Sequence, residues 1–312
     1  MSGLISSLYT GQSGLTVNQI GIEVAGNNVS NANTEGYSRQ SVQTVSMPTL
    51  ELNGNFVGRG ATVSGIDRAE STLITSQLVS KNADYGEEAA QAESLTALEN
   101  IIGISDSNLS GTIDDFFEAW QELSSNPGES LEREGVLQAG EDLALAFQEM
   151  DQDLAELQDN IDQQIISAVD SLNSQLAQIA ELNGQIVAME AGGTSANSLR
   201  DERDLLLQEI SEAIGIQYYE QDNGAVSVQL SSGISLVLGT DASTLSAESS
   251  GGTVELSVAS GNSSVAIDSD DLGGEIKGLF TVRDETIAEA RDALDQLACQ
   301  FVESVNAVHG AG

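Results

Sequence analysis

Eleven positions between residues 154 and 189, spaced alternately by four and three, hold Leu154, Gln158, Ile161, Ile165, Ala168, Leu172, Gln175, Ile179, Leu182, Ile186 and Met189. Nine of the eleven are apolar. Their period averages 3.5 residues, just short of the 3.6 of a straight helix, so the seam keeps facing one partner only if the helix winds in a left-handed supercoil. The stretch therefore predicts a long helix, and a long helix with one apolar stripe needs other helices to cover it. Only Pro48 and Pro127 interrupt the whole chain. Gly192-Gly193 is expected to end the long helix, Ser198 to cap a shorter one from Leu199, and Gly215 to close that one.

Companion helices are legible on both sides. Asp67 with Glu70 reads as a capping box opening a helix through Leu73, Leu78, Tyr85, Ala92, Leu95, Leu98 and Ile102 to a stop at Gly103. Thr112 with Asp115 opens another through Phe116, Phe117, Trp120 and Leu123. Asn126-Pro127-Gly128-Glu129 then reads as N-cap, first-turn proline and N3 acid of the next. From Ile216 to Asp268 the period falls to two, in Val226/Val228/Leu230, Ile234/Leu236/Leu238 and Val254/Leu256/Val258, with turns at Asn223-Gly224, Ser232-Gly233 and Gly251-Gly252. About five short strands are expected there. Helical period returns at Ile287, Ala290, Leu294, Leu297, Phe301 and Val308, so the last helix is expected to pack on those before residue 215.

At the N-terminus, Leu8, Leu15, Ile22 and Val29 recur every seventh residue, beside a register holding Leu4, Gly11, Asn18, Ala25 and Ala32. One stripe is bulky and its neighbour small or polar, a seam about half as apolar as a self-sufficient coiled coil. Such a segment has to dock on something. The run from Asn27 to Gln40 is dense in turn-forming Asn, Ser, Thr and Gly and ends the helix. Gln40 to Met47 is extended, and Asn53-Gly54 signals a turn before a second extended run through Val57, Ala61 and Val63.

The predicted fold class is mainly α: an elongated helical bundle or coiled coil with a small antiparallel β insertion, an N-terminal extended arm and a terminal docking helix. The expected divisions are an assembly helix over 1–33, an arm over 34–68, a discontinuous bundle over 69–214 plus 272–312, and the β insertion over 215–271.

Ten Lys and Arg against 49 Asp and Glu give a formal net charge of −39, which disfavours nucleic acid as a partner. Hydrophobic residues make up 40%, so this is a folded chain with an acidic skin, and a saline milieu suits it. One cysteine, Cys299, and one histidine, His309, rule out an intramolecular disulfide and a cluster of soft metal ligands. No metal and no cofactor is predicted. Apolar runs fall short of a membrane span, and the first basic residue is Arg39, so the N-terminus lacks the positive region expected of a secretory signal. The chain is expected to stay in the cytoplasm or to leave by an uncleaved route.

Chemistry is hard to place. With so many acids, a carboxylate pair carries almost no information, and 4% aromatic content suits few sugar-binding clefts. Arg200 and Asp204 stand four apart in the densest mixed-charge cluster and read as a salt bridge on one helix face. His309 has no nucleophile-elbow sequence to serve, and Cys299 lies off the apolar stripe of its helix. Asp268 to Glu275 lacks the ligand spacing of a calcium loop, with Leu272 and Leu279 where ligands are needed. Gly58-Arg59-Gly60 lacks the third glycine of a dinucleotide loop. No catalytic residue is predicted. The candidates are assembly residues: Leu8, Leu15, Ile22 and Val29 on the stripe, with Asn27, Asn28, Asn31, Gly36, Tyr37 and Arg39 after it.

The stretch Asn27-Asn28-Val29-Ser30-Asn31-Ala32-Asn33-Thr34-Glu35-Gly36-Tyr37-Ser38-Arg39-Gln40 resembles the N-terminal signature of bacterial flagellar rod, hook and hook-associated proteins, and its Gly-Tyr-Ser-Arg-Gln ending points to the hook-associated branch. Gly58 to Arg68, Asp114 to Pro127, Ala180 to Asn183, Arg200 to Leu207 and Ile276 to Glu285 agree with it. The resemblance implies a structural, non-enzymatic subunit of the hook–filament junction, extracellular and exported through the flagellar type III apparatus without a cleaved signal. It implies a homo-oligomeric ring whose partners are the hook protein and the second junction protein (FlgL). It also implies a C-terminal helix that returns to pair with the N-terminal one, outer β domains, and an export-chaperone site near the family's C-terminus. The chain stops at Ala307 to Gly312, before any of these, and is expected to be an N-terminal portion. The alternatives are another flagellar axial protein (hook or rod), a secreted acidic hydrolase with a deep carboxylate-lined pocket, or an extracellular binding module with an exposed patch on 216–268.

Overall fold

The computed structural model describes residues 2–52, 54–103, 109–250, 253–260 and 263–311. They divide into two compact units, Met1–Asn82 with Leu172–Thr244 and Ala83–Ser171 with Leu245–Gly312.

In the first unit, α1 (Ser2–Ser30) leads into an arm. Strands β1 (Gln40–Ser46) and β4 (Ala61–Arg68) pair antiparallel from Gln40 opposite Arg68 to Ser46 opposite Ala61, with a register shift at Gln43/Thr44. Between them β2 (Leu50–Leu52) and β3 (Asn55–Val57) make a short hairpin. Gly54 turns it with φ of 82°, while Asn53 lies outside the described residues. The unit also holds the start of α2 (Thr72–Ile102), the end of α4 (Ser130–Ala191) and α5 (Asn197–Ile214). Its four-stranded antiparallel sheet runs β5 (Gln217–Glu220), β6 (Val226–Gln229), β7 (Ser235–Leu238), β8 (Asp241–Ala242). Leu172, Leu176, Ile179 and Ile186 of α4, Leu207, Ile210 and Ile214 of α5, and Val228, Leu230, Leu236 and Val237 around the sheet are wholly buried. Each contributes roughly 1.5–3 kcal/mol relative to exposure.

The second unit holds the rest of α2, α3 (Leu109–Ser125) and the earlier turns of α4. A three-stranded antiparallel sheet follows in the order β11 (Ser263–Ile267), β10 (Thr253–Ser260), β9 (Thr244–Ser250). Next come a 3-10 turn at Ser269–Asp271, α6 (Gly274–Thr281), one π-helical turn at Val282–Thr286 and α7 (Ile287–Ala311). The π turn carries the buried Arg283. Its Nη1 donates to Asp162 Oδ1 at 2.8 Å on α4 and to the Val254 carbonyl at 3.0 Å on β10, and the guanidinium lies 4.4 Å from the Phe280 ring centre. One cation thus ties helix, strand and π turn together. Gly278 lets α6 approach α2, since a Cβ there would stand 2.4 Å from the Glu87 carbonyl oxygen.

The mainly helical class with small antiparallel sheets is what the sequence predicts, and several details differ. The long helix starts at Ser130, well before the heptad segment, and its 62 residues serve both units. Along the predicted stripe Gln158, Ala168 and Gln175 are only half-buried and Met189 is 42% exposed, while Val169, Leu176, Ala180 and Asn183 join the buried face. That face is wider than a coiled-coil seam because α4 has neighbours on more than one side.

Local cap signals mislead at four places. Arg68 still belongs to β4, and α2 begins at Thr72 with its first bond from the Thr75 amide to the Ser71 carbonyl. Helix α3 already runs at Leu109, and Asn126 to Glu129 is a turn before α4. Helix α5 is preceded by Ala196, with no side-chain cap bond, while Asn197 gives its amide to the Ile66 carbonyl at 2.6 Å. Tertiary partners outcompete local caps here. The strands expected as one insertion form two separate sheets, one in each unit. The turn signals at Asn223-Gly224 and Ser232-Gly233 fall between strands, with φ of 85° and 86° at the glycines, and Gly251-Gly252 lies outside the described residues.

Candidate assembly interface

Helix α1 carries one charged residue, Glu23, in 29. On its outer face Leu4, Leu8, Leu15, Ile22 and Val29 are 73–84% exposed, and Val24 is the only apolar α1 side chain buried among the described residues. The stripe read from the sequence is thus present and uncovered. On another side, Ile5, Tyr9, Val17 and Ile20 of α1 face Met47, Leu50 and Val63 of the arm across a groove of about 920 Å³. Gly60, at φ of 95° where a side chain is strained, lies against Ser13 and Thr10 of α1.

The turn after α1 explains the polar run. Asn28 acts as a surrogate strand residue: its Nδ2 donates to the Gln40 carbonyl at 2.8 Å, and its Oδ1 accepts from the Gln40 amide at 2.8 Å and from the Tyr37 hydroxyl at 2.9 Å. Asn31 donates to the Asn27 carbonyl at 3.1 Å and accepts from the Thr34 hydroxyl at 3.2 Å, closing the helix end. Gly36 sits at φ of 74°, where a side chain is strained, and its α-carbon lies against Leu205 of α5. Arg39 is exposed, and its carbonyl accepts from the Ala69 amide at 2.8 Å. Asn28 and Tyr37 therefore meet, Asn27 and Asn31 meet, and Gly36 faces α5. Among the described residues nothing covers Leu8, Leu15, Ile22 and Val29.

The arm is fastened to α5 by residues that spacing alone did not single out. Arg68 on β4 pairs with Glu70, with Asp201 at 3.1 Å and with Asp204 at 2.5 Å, and the Ser38 amide donates to the other Asp201 oxygen at 3.1 Å. Burial works against the Arg68 charge, yet Asp204, Glu70 and Asp201 outweigh it and raise its pKa. Burial raises that of Asp204 in spite of Arg68. The predicted pairing of Arg200 with Asp204 does not form. Arg200 turns instead to Glu190 at 2.7 Å and Glu220 at 2.8 Å, and Asp204 serves Arg68. The only hint was that Gly58 to Arg68 and Arg200 to Leu207 both belong to the stretches carrying the family resemblance. Nothing in their spacing pairs residue 68 with residue 201.

This convergence of carboxylates on a cation is an anchor. Among the described residues no group of three or more His, Cys, Asp or Glu is placed to hold a metal, and no helix is long and apolar enough to cross a membrane.

Residues 95–312 match the model of the flagellar hook-associated protein FlgK helical domain. The chain belongs to the FlgK family. Residues 8–37 also match the flagella basal body rod protein model, a span running along α1 and ending at the Tyr37 that bonds Asn28. Flagellar hook-associated protein 1 of Escherichia coli strain K12 is 32% identical over 321 aligned residues, covering 100% of this chain and 58% of that protein. The protein of the same name from Bacillus subtilis strain 168 is 27% identical, with 100% and 68% covered. The structure of the flagellar hook junction protein FlgK from Burkholderia pseudomallei superposes with a TM-score of 0.67 at 26% identity, over 74% of this chain and 43% of that one. The chain thus spans 58% of the length of its Escherichia coli FlgK relative.

Proposed function

We propose that this chain is a structural, non-enzymatic subunit of the hook–filament junction, working outside the cell in the flagellum after export without a cleaved signal. It assembles by helix packing into a closed ring of identical subunits, with the hook protein and the second junction protein (FlgL) above and below. Residues 1–33 are the assembly helix and 34–68 the arm that sets its position against α5.

The observation that carries this reading is the outer face of α1. Five large aliphatic side chains, each 73–84% exposed, line one side of a helix with a single charge. A chain of net charge −39 keeps such a surface uncharged only where something apolar has to sit on it. The names of the relatives, hook-associated protein and hook junction protein, support the same place in the flagellum.

Leu15→Asp combined with Ile22→Asp tests it in cells that swim on this protein. Both side chains are exposed, so unfolding of the purified chain is expected to change by less than about 0.5 kcal/mol, while filaments fail to attach. Normal motility of the double variant would overturn the docking role.

A further inference from the structure

The residues of α6, the π turn and α7 carry the period of one uninterrupted helix, and the structure breaks it. Ile276, Leu279, Arg283, Ile287, Ala290 and Leu294 follow one another at intervals of three or four residues. At 3.6 residues per turn each residue advances about 100°, so in a continuous α-helix all of them fall within about 40° of Arg283. Phe301 would fall in line with Arg283 as well. The π turn at Val282–Thr286, where the Ile287 amide donates to the Val282 carbonyl, takes up one extra residue and turns everything after it back by about 100°.

Two ion pairs to α4 show what the break accomplishes. Asp151 and Asp162 stand eleven residues apart on that helix, within about 20° of one face. Arg283 Nη1 reaches Asp162 at 2.8 Å, and Arg291 Nε reaches Asp151 at 2.8 Å. The two arginines stand eight residues apart, which a regular helix would set about 80° around its axis; the π turn brings them within about 20°. The same turn carries Phe301 to α3, where it meets Phe116 and Phe117 edge to face at 5.4 and 5.7 Å. Before the turn α6 is fixed, with Ile276 and Leu279 buried, Gly278 against α2 and Arg283 in its buried pair. One helix thus has two registers: a straight one written in its apolar period, and a turned one held by Arg291 and Phe301.

We propose that the Val282–Thr286 turn is a register switch. When the π turn relaxes into α-helix, α7 rotates by about 100° and shifts by about 1.5 Å relative to a stationary α6, releasing Arg291 from Asp151 and Phe301 from α3. A one-residue step of this size is within the range of helix shifts by which packed elements pass between discrete arrangements. The inference uses neither α1 nor the arm, so its failure leaves the junction reading untouched.

Ile287, wholly buried just after the turn, reports the switch through its δ1 methyl group in the 312-residue chain. Methyl relaxation dispersion is expected to show microsecond-to-millisecond exchange at Ile287 and none at Ile276. Arg291→Gln removes one holder of the turned register and is expected to raise the minor population about two- to fivefold. Deletion of the exposed Glu285 shortens the arginine spacing by one residue, to within about 20° of one face in a regular helix, so both ion pairs survive without a π turn. That deletion is expected to abolish the exchange at Ile287 and to leave the Ile276 methyl signal and the far-ultraviolet circular dichroism spectrum in place. Absence of exchange at Ile287 in the unaltered chain would overturn the proposal, as would exchange that Arg291→Gln leaves unmoved or that survives deletion of Glu285. A deletion that displaces the Ile276 signal would overturn it too, by making the π turn a fixed requirement of α6 packing.

Discussion

Arg203 and Asn183, both fully buried, share one hydrogen bond: Arg203 Nη1 donates to Asn183 Oδ1 at 3.0 Å. Asn183 spends the rest of its capacity on the sheet, accepting from the Val226 amide at 2.9 Å and donating to the carbonyls of Val226 at 2.8 Å and Gly239 at 2.7 Å. Arg203 is less well served. Nη1 reaches the Gly224 carbonyl at 2.7 Å, but among the described residues Nε and Nη2 have no hydrogen-bond partner, Nη2 standing 3.9 Å from Glu220, and burial lowers its pKa. The amide is therefore the pin joining α4 to the sheet, and the guanidinium is a costly neighbour.

The two residues should respond oppositely to apolar replacement. Asn183→Leu strands two carbonyls, one amide and part of a buried cation, and is expected to cost about 3 kcal/mol or more. Arg203→Met removes a poorly solvated charge while filling similar volume, and is expected to cost less than about 1.5 kcal/mol. Urea denaturation of the two variants decides the order. A reversal would mean that the cation, and not the amide, holds the sheet.

Asn28→Ala breaks the surrogate strand pairing with Gln40 and frees Tyr37, yet α1 buries only Val24 among its described apolar side chains. The loss should stay local. The Gln40 amide is expected to exchange its hydrogen roughly tenfold faster, corresponding to about 1.4 kcal/mol, while the global unfolding midpoint stays in place. Hydrogen exchange read at Gln40 checks it, and a fall in the global midpoint would show that the turn supports more than the arm.

How far this arrangement was legible follows from the range of each interaction. The α4 stripe, the stop at Gly192-Gly193 and the α1 face could be read because helical period is written in neighbours three and four residues apart. The helix starts at Thr72 and Ser130 could not, since the competing signals at Asp67/Glu70 and Asn126-Pro127 are equally local and lose to partners elsewhere in the chain. Glu70, expected as a capping acid, pairs with Arg68, itself held by Asp201 more than 130 residues away. Of the assembly candidates, the aliphatic stripe came from periodicity. Asn28 and Tyr37 came from a dense polar motif whose meaning, a side chain pairing with the backbone of Gln40, only the folded turn reveals. The aromatic residues Phe116, Phe117 and Trp120 were visible in α3, but Phe301, which meets Phe116 and Phe117 edge to face, lies on α7.

Acid should unfasten the α5 end through Glu190. Its hydrogen bonds from Arg200 at 2.7 and 2.8 Å hold its carboxyl below the ordinary value of 4.5, while burial opposes them. A depressed acid contributes stability that is fully present above its unfolded pKa and is lost as pH falls through the folded one. The loss therefore belongs below about pH 4.5. Asp204, raised by burial, runs the other way, its contribution being present at low pH and lost as pH rises through its folded pKa. Glu190→Gln is expected to lower stability at neutral pH and to erase the difference from the unaltered chain near pH 3. Denaturation midpoints across that window test it, and a gap that persists into acid would remove Glu190 as its source.

Salt should stabilise the chain through a different set of charges. Of the ten basic residues, Arg68, Arg200 and Arg283 keep only 6%, 17% and 4% of their side chains exposed, each committed to carboxylates of its own unit, and Arg203 is fully buried. What faces water is therefore close to a surface of like charges that repel in the compact state. Screening shortens their reach from about 10 Å at 0.1 M to about 3 Å at 1 M salt, and weakens the buried pairs much less. The urea midpoint is expected to rise with sodium chloride and potassium chloride alike over that range, with a smaller slope once Asp114, Glu118 and Glu122 on α3 are neutralised to Asn and Gln. A midpoint that falls with salt would mean that exposed ion pairs, and not repulsion among the acids, set the electrostatic balance of the fold.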